Sequence, residues 1–326
     1  QLIATHNEKH LWAESYEQEI RNTKDIFGIQ SHIAQAIAAE LEATITPEEK
    51  QRIEEIPTAN LTAYDFYQRG KEQEDKLDLP DDLAPKLKIA EEMYRKALEN
   101  DSAFAPAYAG LAHVYQFKPG SESINSRIFF DSVPILCDIA LSYDNKNSQA
   151  YRIKGEYYIA MGKPEQALNE LDKAIKYNPN DFYIYWAKVY LYEDDILKKI
   201  QNFEKAIPLT RGHGDYLAGF LQLTGDVYTE AGFLKEARNY QQEFLNLSGD
   251  SVSAYLNLSQ IELVSGNINN SIQYLEKVYS RDSGYSPIPR YLGLYYMFLH
   301  NSKEALKYFK EALEIDSTAG SANMIA

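Results

Sequence analysis

Small and apolar residues recur along the chain with a period of 34 positions, separated by short polar stretches. Gly232, Gly266 and His300 follow one another at this spacing, and Gly225 and Gly293 lie two periods apart. Each period holds about 14 residues with the apolar spacing of an amphipathic helix, then a short polar turn, a second helix and a break. The pattern therefore predicts an array of helix pairs.

Residue sizes within the period 148–181 indicate how the two helices of one pair pack. Gly155 and Ala167 are small, so antiparallel helices can approach each other closely at these positions. Leu171 fills the space between this pair and the next, and Pro179 stops the second helix because it cannot continue one. A single pair cannot bury both of its apolar stripes, so we expect such pairs to stack in arrays.

These residues resemble the tetratricopeptide repeat. That family has an aromatic residue at unit position 4, Leu-Gly at 7 and 8, Tyr at 11, Ala at 20, an aromatic at 24, Ala at 27 and Pro at 32. Six of these positions are matched in one unit, by Tyr151, Gly155, Tyr158, Ala167, Ala174 and Pro179. The resemblance implies an all-α fold: a right-handed superhelical solenoid of about seven helix pairs, preceded by a short N-terminal β-hairpin and helices.

The repeats are predicted to span residues 63–319 and to be followed by a tail at 320–326. The unit boundaries are 63–104, 105–147, 148–181, 182–217, 218–251, 252–285 and 286–319. The first two units carry insertions of about eight and nine residues between their helices, near KLDLPDD and KPGSESINSR. The unit 252–285 is degenerate, because Glu262 stands where the family has Tyr.

Residues 1–62 differ from the repeats. QLIAT and HLWAESYE are typical of two short strands joined by a polar turn at positions 6–9. Apolar residues then follow at helical spacing from Ile26 to Leu41. Thr46 and Pro47 predict the N-cap and the first residue of a further helix.

The same region resembles the closing part of the TolB-amino-terminal-like domain, through HLWAE at 10–14, DIF at 25–27 and the run from Tyr64 to Gly70. In bacterial multidomain proteins that domain precedes tetratricopeptide repeats and follows a nucleotide cyclase or a winged-helix DNA-binding module. The resemblance implies that only the closing hairpin and helix of the domain are present. Since Gln1 is not an initiator Met, we expect the chain to be a piece of a larger protein.

Composition narrows the classes of function. The 326 residues are 44% hydrophobic and 25% charged, as in a soluble globular protein, and their formal net charge of −15 repels phosphate backbones. Nucleic acid is therefore not an expected partner. No run of 18 apolar residues predicts a membrane span. The single cysteine, Cys137, cannot form an internal disulfide or a multi-thiolate metal site, and we expect it to be a buried thiol.

Motifs that carry catalysis or bind phosphate are absent from the sequence. No G-x-G-x-x-G, G-x-x-x-x-G-K-[ST], H-E-x-x-H or G-x-S-x-G occurs. The sequence therefore predicts a chain that is not an enzyme and binds neither a cofactor nor a metal.

In the tetratricopeptide family, unit positions 2, 5, 9 and 12 of the first helices line a concave groove. Carried onto this chain, the resemblance predicts these groove residues: Tyr64, Tyr67, His113, Gln116, Arg152, Glu156, Tyr183, Trp186, Tyr190, Gln222, Asp226, Leu256, Gln260 and Arg290. Aromatic anchors beside amides suit a peptide ligand. The alternative for Trp186 and Tyr190 is packing against a neighbouring helix. A carboxylate clamp for C-terminal peptides is not expected, because Ala187 stands where the family has the second Asn.

The sequence thus predicts a non-catalytic module that holds a peptide or protein segment. The alternative is a sensory or regulatory domain of a bacterial signalling protein, in which the repeats act on a cyclase or a DNA-binding module. The upstream region would decide between a bacterial cytoplasmic and a periplasmic location. Residues 1–16 and the last repeat helix expose surface that a solenoid normally caps. We therefore expect either homo-oligomers through these ends or poor order of residues 1–16.

Overall fold

The computed structural model describes residues 2–4, 9–13, 15, 19–41, 45–75, 83–118, 124–192, 194–211, 214–249, 251–281 and 287–315. The chain divides into two compact units, Gln1–Pro179 and Asn180–Ala326. The described residues form sixteen α-helices and one pair of short strands.

The first unit contains both strands and eight helices. Their bounds are β1 (Leu2–Ala4), β2 (Lys9–Trp12), α1 (Thr23–Glu40), α2 (Pro47–Ile53), α3 (Leu61–Glu74), α4 (Leu83–Asn100), α5 (Ala105–Phe117), α6 (Ile124–Tyr143), α7 (Ser148–Ala160) and α8 (Pro164–Tyr177). The second unit contains eight further helices: α9 (Phe182–Leu191), α10 (Ile196–Thr210), α11 (Gly214–Glu230), α12 (Leu234–Ser248), α13 (Ser251–Val264), α14 (Ile268–Arg281), α15 (Pro287–Phe298) and α16 (Ser302–Ile315).

From α3 onwards, each odd-numbered helix packs against the even-numbered helix that follows it. Within the first unit, the first helices of successive pairs also contact each other, α3 with α5 and α5 with α7. The predicted architecture of stacked helix pairs is therefore confirmed.

The N-terminal region contains the two strands and two capped helices. β1 pairs antiparallel with β2, with Leu2 opposite Trp12 and Ala4 opposite Lys9. Residues 5–8, and with them most of the predicted turn, lie outside the described residues, as does the tail at 320–326. The side chain of Thr46 accepts a hydrogen bond from the backbone N–H of Glu49, so its predicted role as N-cap of α2 is confirmed.

In four of the seven helix pairs, α3–α4, α7–α8, α11–α12 and α15–α16, a glycine on the first helix lies against a large side chain on the second. A Cβ atom on Gly155 would lie 2.7 Å from Cγ of Leu171, and one on Gly293 would lie 2.5 Å from the ring of Phe309. No side chain fits between the helices at these glycines, so the two backbones can approach closely. The predicted reason for Gly155 is confirmed.

The turn between paired helices uses the same backbone conformation four times. Gly162, Gly232 and Gly266 all have positive φ, and His300 adopts φ 57° at the equivalent position. In the first of these turns, the backbone N–H of Lys163 donates to the carbonyl of Tyr158. This bond satisfies one of the carbonyls that a helix end leaves unpaired. The 34-residue spacing of these residues thus reflects a repeated left-handed turn.

The degenerate repeat formed by α13 and α14 replaces apolar contacts with buried polar ones. Ser259 and Ser271 stand where the family has Gly and Ala, and their hydroxyl oxygens are 2.8 Å apart. Glu262, in the usual place of Tyr, accepts hydrogen bonds from Arg238 of α12 at 2.9 Å and from Asn267 at 3.0 Å. Burial alone would raise the pKa of Glu262, but these bonds hold it below its ordinary value. The repeat keeps its fold because these buried polar groups are paired.

Two glycine-to-alanine changes within the second unit test the helix contact. Gly293→Ala should lower the free energy of unfolding by roughly 1–3 kcal/mol, because the new methyl overlaps the Phe309 ring. Gly219→Ala is the matched control: it lies inside α11, with nothing within 4 Å of its Cβ position. It should be neutral or stabilise by up to about 1 kcal/mol through helix propensity. Thermal unfolding followed by circular dichroism measures both, and equal shifts would contradict this role of Gly293.

Candidate functional site

The two predicted groove tyrosines of the first repeat are covered. Tyr64 is only 7% exposed, because Phe27 of α1 packs edge-on against it with ring centroids 5.0 Å apart. Gln30 of α1 also donates a hydrogen bond to its hydroxyl at 3.4 Å. Tyr67 packs against the rings of Tyr94 and Phe104. Both tyrosines therefore contribute to the core and are not open anchors, a correction that follows from the position of α1.

Next to them lies a carboxylate that the list of predicted groove residues omits. Glu74, on α3, is almost fully buried. Its Oε1 lies 2.9 Å from Nδ1 of His113 on α5 and accepts a hydrogen bond from Nε2 of Gln149 on α7 at 3.2 Å. The hydroxyl of Tyr94 donates to its other oxygen. The predicted groove residue His113 thus has its partner within the chain, and three first helices meet at one carboxylate.

Burial and pairing act in opposite directions on Glu74. Burial alone would raise its pKa, but the charge of His113 and the hydrogen bonds from His113 and Tyr94 outweigh it and lower the pKa to about 2. The ionised carboxylate is therefore a structural element of the first unit.

Gln116, Arg152 and Glu156 form a second internal network. Arg152 is 5% exposed, and its Nη1 lies 2.6 Å from Oε1 of Glu156, one turn further along α7. Gln116 of α5 donates to the other oxygen of Glu156 at 3.0 Å. The burial of Arg152 leaves little of its side chain for the predicted contact with a peptide.

The second unit presents an aromatic surface. The hydroxyls of Tyr183 on α9 and Tyr216 on α11 are 2.6 Å apart. Trp186 is half-buried and packs against Phe220 of α11 with ring centroids 5.0 Å apart. Tyr190 contacts Trp186 edge-on at 5.5 Å and remains 60% exposed. Trp186 therefore packs against a neighbouring helix, which is the alternative to a groove contact. Tyr190 faces solvent and is open to a ligand.

The other predicted residues of the second unit follow on successive first helices. Asp226 is exposed on α11 and accepts a hydrogen bond from Nε2 of the buried Gln241 at 2.9 Å. Burial of the carboxylate among neighbouring atoms raises the pKa of Asp226 to about 6, although the bond from Gln241 opposes this shift. Gln222 and Leu256 are half-buried, whereas Gln260 and Arg290 are exposed.

Sequence reasoning missed Glu74, Gln149 and Gln241, although each carried a signal. Glu74 is at position 12 of its repeat and Gln149 at position 2 of its own, so both belong to the same set of positions as the predicted residues. Gln241 is an amide at position 24, where the repeat has an aromatic residue.

Among the described residues, no group of three or more His, Cys, Asp or Glu side chains could hold a metal ion. No helix in that part of the chain is both long and apolar enough to cross a membrane. Cys137 is a fully buried free thiol, and burial raises its pKa, which favours the unreactive protonated form.

Repeated helix pairs with a glycine contact and a left-handed turn define a helical-repeat protein. Models of the tetratricopeptide repeat match three segments of the chain, residues 148–181, 252–285 and 292–318, so these segments are tetratricopeptide repeats. No curated protein matches the chain.

Solved structures share the fold at low sequence identity. The C-terminal part of a tetratricopeptide repeat-containing protein from Cytophaga hutchinsonii is 14% identical, with a TM-score of 0.59 over 79% of this chain and 99% of that one. PilF of Pseudomonas aeruginosa is 18% identical, with a TM-score of 0.52 over 74% of this chain and 98% of that one. YrrB, described as a TPR protein with an unusual peptide-binding site, is 19% identical over 57% of this chain and 95% of that one, with a TM-score of 0.48.

The pairing of Glu74 predicts a pH-dependent stability. Its lowered pKa contributes stability that is present above about pH 4.5, the ordinary pKa, and is lost as the pH falls towards 2. Glu74→Gln should therefore lower the free energy of unfolding at pH 7 by about 1–3 kcal/mol, and the difference from wild type should shrink below pH 4.5.

Urea unfolding at pH 7 and at pH 3 measures this difference. Glu99→Gln, an exposed change on α4, is the matched control and should leave stability unchanged at both values. A Glu74→Gln variant as stable as wild type at pH 7 would contradict the structural role of this carboxylate.

Proposed function

We propose that this chain is a non-catalytic interaction module that binds an extended peptide segment on the first helices of its second unit. We call this area the recognition surface and define it by Tyr183, Trp186, Tyr190, Gln222, Asp226, Leu256 and Gln260. The tetratricopeptide repeats support the general role, because arrays of this kind act as protein-binding scaffolds.

The observation that carries the proposal is an exposed aromatic side chain on a rigid base. Tyr190 is 60% exposed, and it rests against Trp186, which packs on Phe220 and Phe203. A large ring fixed in this way offers contact area at a low entropic cost, as binding hot spots do. The corresponding polar side chains of the first unit already bond to one another, which leaves them fewer free groups for a ligand.

The second candidate function, regulation within a bacterial signalling protein, is favoured by the docking of α1 on the first repeat. Phe27 and Gln30 both contact Tyr64, and Thr23 donates a hydrogen bond to the backbone carbonyl of Thr58 at 2.7 Å. A movement of α1 would therefore reach the first repeat directly. The reading frame upstream tests this candidate: a cyclase or winged-helix module there would support it, and a frame with neither would contradict it.

Replacing the exposed aromatic tests the proposed function. Peptides are first selected on the full chain from a phage-displayed library of random dodecapeptides. Tyr190→Ala should then weaken a selected peptide by about thirtyfold, because loss of a hot-spot aromatic typically costs about 2 kcal/mol or more. Calorimetry measures the affinity, and the melting temperature should not change, since the side chain is mostly exposed.

Tyr143→Ala is the matched control, because this tyrosine is 52% exposed on α6, a second helix of the first unit. It should bind the selected peptide with wild-type affinity. A selection that enriches no peptide, or a peptide whose affinity ignores Tyr190→Ala, would contradict the proposed surface.

A further inference from the structure

The second unit contains a buried amide where its other repeats have apolar side chains. Gln241 occupies unit position 24, which holds Leu275 and Phe309 in the next two repeats. It is fully buried against Gly225, whose Cβ position lies 2.6 Å from its Nε2. A buried amide is unfavourable unless its polar atoms are bonded, so this residue needs an explanation beyond packing.

The bonds of Gln241 fix the orientation of its amide. Its Nε2 donates to the backbone carbonyl of Gln222 at 3.0 Å and to Oδ1 of Asp226 at 2.9 Å. Both partners are acceptors, so the opposite orientation would place the amide oxygen against two oxygens. Its own Oε1 is buried and unpartnered among the described residues. In this orientation Oε1 of Gln241 lacks a hydrogen bond, while Nε2 holds Oδ1 of Asp226 in place.

Asp226 differs from Glu74 and Glu156, the carboxylates at groove positions of the first unit, in having no cation beside it. Glu74 has His113 and Glu156 has Arg152. Asp226 has only the bond from Gln241, and no Lys, Arg or His of the described residues lies within ion-pair distance of it. Asp226 is exposed and only its Oδ1 is bonded by Gln241, so the carboxylate is open to a ligand, and a cationic side chain would supply the counter-charge that it lacks.

The position of Asp226 matches the proposed path of a peptide. It occupies unit position 9 on α11, the position that Tyr190 holds one repeat earlier and Gln260 one repeat later. A cationic side chain bound there would lie in the row of positions next to the aromatic anchor. The net charge of −15 also raises the rate at which a basic segment meets the surface.

We propose that Asp226, positioned by Gln241, is a specificity-determining residue that binds a Lys or Arg side chain of the peptide on the recognition surface. This inference rests on the proposed function and adds to it the chemical class of the partner: a segment with a basic residue beside apolar or aromatic ones. Gln241 acts through Asp226 and is a positioning residue.

The test compares selection on two forms of the full chain. The random dodecapeptide library is panned in parallel on wild type and on Asp226→Asn, which keeps an oxygen for the bond from Gln241. Peptides selected on wild type should be enriched in Lys or Arg at one position over the unselected library. The enrichment should be absent on Asp226→Asn.

Synthetic peptides then measure the specificity. A wild-type-selected peptide is compared with a twin that carries norleucine for Lys, or citrulline for Arg. Wild type should prefer the cationic peptide by about tenfold, and Asp226→Asn should bind both equally. Gln241→Leu should reduce the preference while it leaves the affinity for the neutral twin unchanged. A purely structural role of Gln241 would weaken both peptides alike.

The outcomes separate the inference from the proposed function. Peptides that bind wild type without Lys or Arg, or a preference that survives Asp226→Asn, would overturn the role of Asp226 and leave the recognition surface standing. If panning on wild type enriches no peptide beyond the level found on Trp186→Ala, both the role of Asp226 and the recognition surface would be overturned.

Discussion

In four of the seven helix pairs, the contact between a glycine on the first helix and a large side chain on the second is the interaction on which the packing depends. It fixes the distance between the paired helices, as the fit of Leu171 against Gly155 and of Phe309 against Gly293 illustrates. A fixed distance sets which faces of the first helices remain for other partners. In the fifth pair Gly225 makes this contact with Gln241, and the amide of Gln241 donates a hydrogen bond to Asp226, the residue proposed to bind a ligand.

The two units use their inward-facing polar groups differently. In the first unit, the carboxylates Glu74 and Glu156 each have a cationic partner within the chain, His113 and Arg152, and α1 covers Tyr64. In the second unit, Asp226 is exposed and accepts a hydrogen bond from Gln241, with no cation beside it among the described residues. The proposed division is therefore between a unit whose groove carboxylates are paired within the chain and a unit in which Asp226 is open to a ligand.

Sequence reasoning predicted the elements that depend on local spacing. The helix pairs, the contact of Gly155, the capping by Thr46 and the burial of Cys137 all follow from residue size, period or turn chemistry within one segment. It did not predict what depends on distant parts of the chain. Arg152 is buried because Glu156 and the surrounding helices enclose it, and Glu74 finds its partners at positions 113 and 149. A repeat pattern predicts on which face of a helix a side chain lies, but it does not predict which distant residue contacts that side chain.

The measurement that tests the central claim most directly is hydrogen exchange on the full chain with and without a selected peptide. The account places the ligand on the first helices of the second unit, so binding should slow exchange in α9, α11 and α13. Exchange in α3, α5 and α7 should be unchanged, because the account places no part of the ligand on those helices. Protection concentrated in α3, α5 and α7, with none in the second unit, would contradict the account.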